Sequence, residues 1–210
     1  QLLRGSLAAA GVSLLPTISP PAAGARVASL DIDHEARVAA IQELLRQREV
    51  PAWLFYDFRM NNRVAYRALG LDEAMDPSRR WHYLVPPNGE PRKLVSALEP
   101  TILDSLPGTR VVYRTWQERE ENLRAMLSGL PQAAMEYSPN CAVPYVSNVD
   151  GGTLELIRSF GVEVVTSADL AQEIVSRWGP EQLESHLEAS RRLMQIGEEA
   201  FTLVAGNVQA

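Results

Sequence analysis

The sequence is poor in the side chains that mark several common chemistries. It has one cysteine, Cys141, so no internal disulfide can form, and the redox compartment stays open. Its three histidines, His34, His82 and His186, lie far apart, with no second ligand at helical or strand spacing. A hydrolytic metal site needs several His, Asp, Glu or Cys side chains converging at bonding distance. H-x-x-x-H, H-E-x-x-H and C-x-x-C are all missing, so each histidine reads as a surface or capping residue and Cys141 as a small packed one. No serine sits in G-x-S-x-G, which removes a familiar nucleophile signature. G-x-G-x-x-G and G-K-[ST] are absent too, and Gly151-Gly152 behind Asp150 reads as a tight turn because the carboxylate would repel a phosphate. Lysine is nearly absent: Lys93 stands alone among 20 basic residues. An arginine-rich chain can carry forks for phosphate or carboxylate, but these arginines are scattered, which argues for a bias in genome composition. With 26 acidic residues the net charge is −6, which argues against nucleic acid as a partner.

What is present is ordinary for a globular protein: 210 residues, 46% hydrophobic and 22% charged, enough for one or two domains with a real core. Residues 1–29 differ from the rest. Arg4, an apolar run from Leu7 to Leu15, three prolines and Ala23-Gly24-Ala25 follow the order of a signal peptide. Gln1 to Ser6 also resembles the stretch after the paired arginines of a twin-arginine signal. The expectation is export to the periplasm or beyond, the alternative a disordered leader on a cytoplasmic protein. The apolar run is too short to span a bilayer, so no membrane span is expected.

From Asp31 the pattern becomes structural. Val38, Ile41, Leu44 and Leu45 lie at helical spacing behind Asp33 as N-cap, and the helix ends near Arg48. Pro51 breaks it, Ala52 to Tyr56 reads as a strand, and Asn61 to Leu69 as a helix closed by Gly70. Trp81 to Val85 and Lys93 to Leu98 flank the turn Pro86 to Gly89 as a hairpin, and Val111 to Tyr113 is a further strand. Gln117 to Leu130 carries one apolar helical face, and Ala133 to Tyr137 is the next strand. Asp150 caps a helix ended by Gly161, and Val162 to Val165 follows as a strand. Thr166 and Asp169 then suggest a capping box for a helix bearing Leu170, Ile174, Val175 and Trp178. Gly179-Pro180 opens a long helix whose wide apolar stripe, including Leu183, Leu187, Met194, Phe201 and Val204, implies two packing partners. Strands alternating with helices around one hairpin predict an α/β fold with a mixed β-sheet flanked by helices. No internal repeat is present.

Residues 134–139, 143–147 and 149–158, with Trp81 to Pro86, Gly89 to Pro91, Leu98-Glu99, Leu106 to Gly108 and Tyr113 to Trp116, resemble the N-terminal domain of Xaa-Pro aminopeptidases of the creatinase and prolidase family. Asp57, Asn62 and Tyr66 agree as well. The resemblance covers roughly residues 31–208. Departures are mild: Asn148 replaces the usual basic residue, and Gly151 stands where alanine is usual.

The resemblance implies a ribonuclease-H-like creatinase N-terminal domain over residues 30–179, then a linker helix over 180–210 leading into a pita-bread catalytic domain that this chain does not contain. In such a parent, two divalent metal ions (manganese, cobalt or zinc) are held by residues of the pita-bread domain, activate water and polarise the carbonyl before proline. This chain is then non-catalytic, and no catalytic or metal residue is expected in it. Its implied partners are its own C-terminal domain, further copies in a homo-oligomer and, for the parent, proline-containing peptides. Its implied role is to make oligomer contacts and restrict the active-site pocket. Asp57, Arg59 and Asn62, read as an exposed loop after the first strand, are the candidates for reaching that pocket, with Trp81 and Tyr83 behind them. The alternatives are a non-enzymatic protein-binding module of peptidase-like fold and a creatinase-like amidinohydrolase parent.

Overall fold

The computed structural model describes residues 33–208, so the expected export segment at residues 1–29 lies outside the described residues. Asp33 caps α1 (His34–Gln47) by accepting the Ala36 N–H at 2.9 Å. Strand β1 (Trp53–Asp57) follows, then α2 (Arg63–Leu69), which ends at Gly70 in the left-handed conformation. β2 (Trp81–Val85) and β3 (Arg92–Ser96) form the hairpin, and β4 (Thr109–Tyr113) lies beyond β3. α3 (Trp116–Leu127), β5 (Gln132–Met135), α4 (Gly151–Ser159), β6 (Glu163–Thr166), α5 (Ala168–Val175) and α6 (Pro180–Val208) complete the described chain.

The six strands form one mixed sheet in the order β4-β3-β2-β1-β5-β6. β2 pairs antiparallel with both β1 and β3, and every other pairing is parallel, so β2 alone runs against the rest. Successive strand residues face opposite sides. Trp53, Phe55, Trp81, Tyr83 and Val95 pack with Ile41, Leu45, Tyr66, Leu69 and Leu170 of α1, α2 and α5. Leu54, Tyr56, Leu84 and Leu94 pack on the other side with Leu123 and Met126 of α3 and Ile157 of α4. Helices on both faces explain why β1 and β2 are buried along their whole length.

Three expectations change. Thr166 and Asp169 form no capping box: Ser167 is the N-cap residue of α5, and its hydroxyl turns inward to the Glu136 carboxylate at 3.2 Å. Trp178 lies beyond α5, 58% exposed, with its ring 4.5 Å from that of His186. α6 forms, but its stripe is uncovered, with Leu187 51% and Phe201 80% exposed. Among the described residues no helix is long and apolar enough to cross a membrane.

Candidate functional site: the carboxyl edge of the sheet

Because β2 alone is reversed, its first residue, Trp81, lies level with Asp57 at the end of β1, beside the last residues of β3 and β4. The ends of β5 and β6 lie along the same edge because β5 pairs parallel with β1, and β6 parallel with β5. In open sheets this edge is where loops of different origin converge and ligands bind.

Its centre is a buried carboxyl group. Glu136 follows β5 and is 0% exposed. Its Oε1 accepts the Trp53 indole N–H at 2.5 Å and the Ser167 hydroxyl, and its Oε2 accepts the Asn62 amide at 2.7 Å. Burial pushes its pKa up to about 7, against the pull of those donors. Its backbone carbonyl accepts the N–H groups of Asn148 and Val149, which folds the 137–149 loop back onto the edge. This one residue therefore ties together β1, α2, the start of α5 and the loop before α4.

Asn62 links it to a second carboxylate. Its side chain caps α2 through the Ala65 N–H and donates to the Tyr56 carbonyl. Asp57 accepts the backbone N–H groups of Met60 and Asn62 and the Tyr66 hydroxyl. Those bonds hold a turn in which Arg59 (φ 58°) and Met60 (φ 60°) are both left-handed, a conformation that costs non-glycine residues energy. A groove of about 390 Å³ beside it is lined by Met60, Arg63, Tyr66, Glu73, Met75 and Asp76.

The expected exposed loop is thus half inside. Arg59 is exposed, while Asp57 and Asn62 are buried because their side chains satisfy the turn's own backbone. Trp81 is buried against Tyr66, ring centroids 5.9 Å apart, and Tyr83 is buried with its hydroxyl donating to the Pro107 carbonyl at 2.9 Å. The structure brings Asp57, Arg59, Asn62 and Trp81 to one edge, and Tyr83 lies deeper. His82, read as a surface or capping residue, is 2% exposed in the middle of the sheet. Cys141, expected to pack, is exposed at φ 56° in the loop after β5.

What this loop face shows to solvent is cationic and aromatic. The Arg59 and Arg80 guanidinium groups lie 5.5 and 4.9 Å from the Phe58 ring centroid, and Trp116, after β4, and Tyr145, in the loop after β5, are exposed. A surface depression of about 680 Å³ lies elsewhere, lined by Arg48, Asp169, Glu173 and Arg177. Among the described residues no three His, Cys, Asp or Glu side chains could hold a metal ion, so the metals implied above find no donor set in them. The arrangement can orient and present side chains.

The fold recurs in solved structures. A prolidase from Thermococcus sibiricus superposes with a TM-score of 0.57 at 10% identity, covering 80% of this chain and 44% of its own. A dipeptidase from Pyrococcus horikoshii OT3 gives 0.53 at 19% identity, covering 79% and 44%. The creatinase/prolidase N-terminal domain of an X-Pro dipeptidase from Streptococcus pyogenes gives 0.50 at 17% identity, covering 66% of this chain and 98% of that domain. This chain has the creatinase/prolidase N-terminal-domain fold. This chain spans less than half the length of the larger prolidase and dipeptidases it matches. No family model matches the sequence, and no curated protein matches it significantly.

Sequence reasoning did not single out Glu136 as a hub. Its only sequence signal is an acid closing an otherwise apolar strand, Ala133 to Met135.

Proposed function

We propose that the creatinase-type domain is the non-catalytic N-terminal part of a metal-dependent Xaa-Pro peptidase. There it makes oligomer contacts and restricts an active-site pocket supplied by a C-terminal domain of its own or a neighbouring subunit. The observation that carries this reading is the near-complete coverage, 98%, of an isolated N-terminal domain of an X-Pro dipeptidase. Two divalent metals would be held in that C-terminal domain, and no step of hydrolysis is assigned to residues of this chain. The residue best placed to reach a neighbouring pocket is Arg59, the exposed cation of a turn whose shape Asp57 and Asn62 impose from inside. Such a cation suits a peptide carboxylate.

Two measurements on the full-length protein test this. Release of the residue before proline should require a divalent metal and stop with a chelator; no release with manganese, cobalt or zinc removes the peptidase reading. Arg59→Ala should lower kcat/KM about tenfold or more, the loss of one charged hydrogen bond, or change the oligomeric state, without lowering Tm. Unchanged kcat/KM together with unchanged assembly removes the pocket role.

A further inference from the structure

On the α3/α4 side of the sheet, polar atoms lie buried without partners. His82 projects from β2 beside Tyr56, ring centroids 5.2 Å apart. Its Nδ1 is buried and reaches no hydrogen-bond partner, and the same holds for Nε of Arg119 at the start of α3. The charges of Arg119, Arg80 and Asp150 all bear on the His82 imidazole, so these groups lie near it.

The local acid is already engaged. Asp150 accepts the Thr153 N–H at 2.9 Å, the Thr153 hydroxyl at 2.7 Å and the Tyr56 hydroxyl at 3.0 Å. Among the described residues neither Arg80 nor Arg119 has a carboxylate at ion-pair distance. Arg80 is nevertheless held in place: its Nε donates to the Tyr56 hydroxyl at 3.3 Å, and its carbonyl accepts the Tyr113 hydroxyl at 2.7 Å.

A buried polar atom without a partner costs about 1–3 kcal/mol, so two in one cluster call for an explanation. The chemistry of the orphans specifies what is missing. A guanidinium can only donate, and the His82 Nδ1 donates in one neutral tautomer, so a single hydrogen-bond acceptor satisfies both. Two cations beside one engaged carboxylate leave the cluster with excess positive charge, so the partner is an anion. Planar guanidinium donors match the oxygens of carboxylate and phosphate.

We propose that Arg80, Arg119 and His82 form a binding site for a small oxyanion, a carboxylate or phosphate group, beside the starts of α3 and α4. Tyr113 and Tyr56 position Arg80. The site stands on this chain alone and does not depend on the peptidase reading. Unliganded, the His82 imidazole is neutral, because burial and the two arginines hold its pKa down at about 3. An oxyanion in contact with it reverses the sign of the local field and raises that value.

The test is an NMR titration of the whole chain, following the imidazole signals of the three histidines. Inorganic phosphate and acetate are added separately, with ionic strength held constant by sodium chloride. A saturable shift confined to His82, with its pKa rising by a unit or more, supports the site, and His34 and His186 serve as internal controls. Response to phosphate alone identifies a phosphate ligand; response to both identifies a general oxyanion site. Arg119→Gln should weaken binding at least tenfold, and Arg80→Gln serves the same purpose if the first variant fails to fold. No saturable His82 shift with either anion overturns the proposal, as does an undiminished response in a folded variant. A crystal structure grown in phosphate with only water at His82 Nδ1 also overturns it.

Discussion

Glu136 is expensive to bury as an anion, and its neighbours only partly offset that cost. Its folded pKa of about 7 lies above the usual 4.5, so the proton binds the folded state more tightly than the unfolded one. The stability this contributes is complete below about pH 4.5 and is lost as pH rises through about 7. His82 acts in the opposite sense: its folded pKa of about 3 lies below the usual 6.5, so its contribution is present above pH 6.5 and falls as the medium becomes more acid. The two trends oppose each other between their ordinary values, and the wild type alone will show a flattened profile. Comparison with Glu136→Gln isolates one of them. The difference in unfolding free energy should change by roughly 3 kcal/mol between pH 4 and 8, the variant gaining at high pH, as read by urea denaturation. A constant difference would show that Glu136 titrates normally. Asn62→Ala should cost roughly 3 kcal/mol or more, because it removes the cap of α2 and leaves the Glu136 carboxylate short of a donor. A loss below about 1 kcal/mol in the same denaturation experiment would place the hub's strength elsewhere.

Elements were more legible than side chains. The strand and helix order follows from apolar runs punctuated by Pro51, Gly70, the Pro86 to Gly89 turn and Gly161, which act locally and so can be read locally. Asp33 and Asp150 cap their helices for the same reason, as does Asn62, which the sequence placed inside its helix. The Glu136 hub is different, since its donors Trp53, Asn62 and Ser167 come from three other parts of the chain and no spacing announces them. Asp57 and Asn62 were misread as exposed because polar residues after a strand usually are; here consecutive left-handed residues turn the loop so that its polar groups face inward. Ser167 displaced the expected capping box for a similar reason, its hydroxyl being claimed by Glu136. Among the elements α6 is exceptional, since its apolar side chains cover nothing in the described chain. A variant lacking residues 180–208 should therefore keep the Tm of the remaining domain within a few degrees and show less self-association in sedimentation. A fall in Tm of about 8 °C or more would mean that α6 stabilises the sheet domain.

At the scale of the molecule, the loops that carry the candidate site belong to one edge, while the packing that fixes them lies in the two layers beneath. Changes at Arg59, Arg80 or Trp116 should alter what the domain binds with little effect on folding, whereas changes at Glu136 or Asn62 should do the reverse. α6 adds a mechanical property. With 29 residues it is about 43 Å long. It leaves the α/β body through Ser176 to Gly179, where the Trp178 ring leans on that of His186 at an angle of 46°. A rigid rod of that length turns a rotation of about 10° at its base into a displacement of about 7 Å at its tip. The short segment Ser176 to Gly179, with the Trp178–His186 contact beside it, is thus the fulcrum on which anything at the far end is aimed.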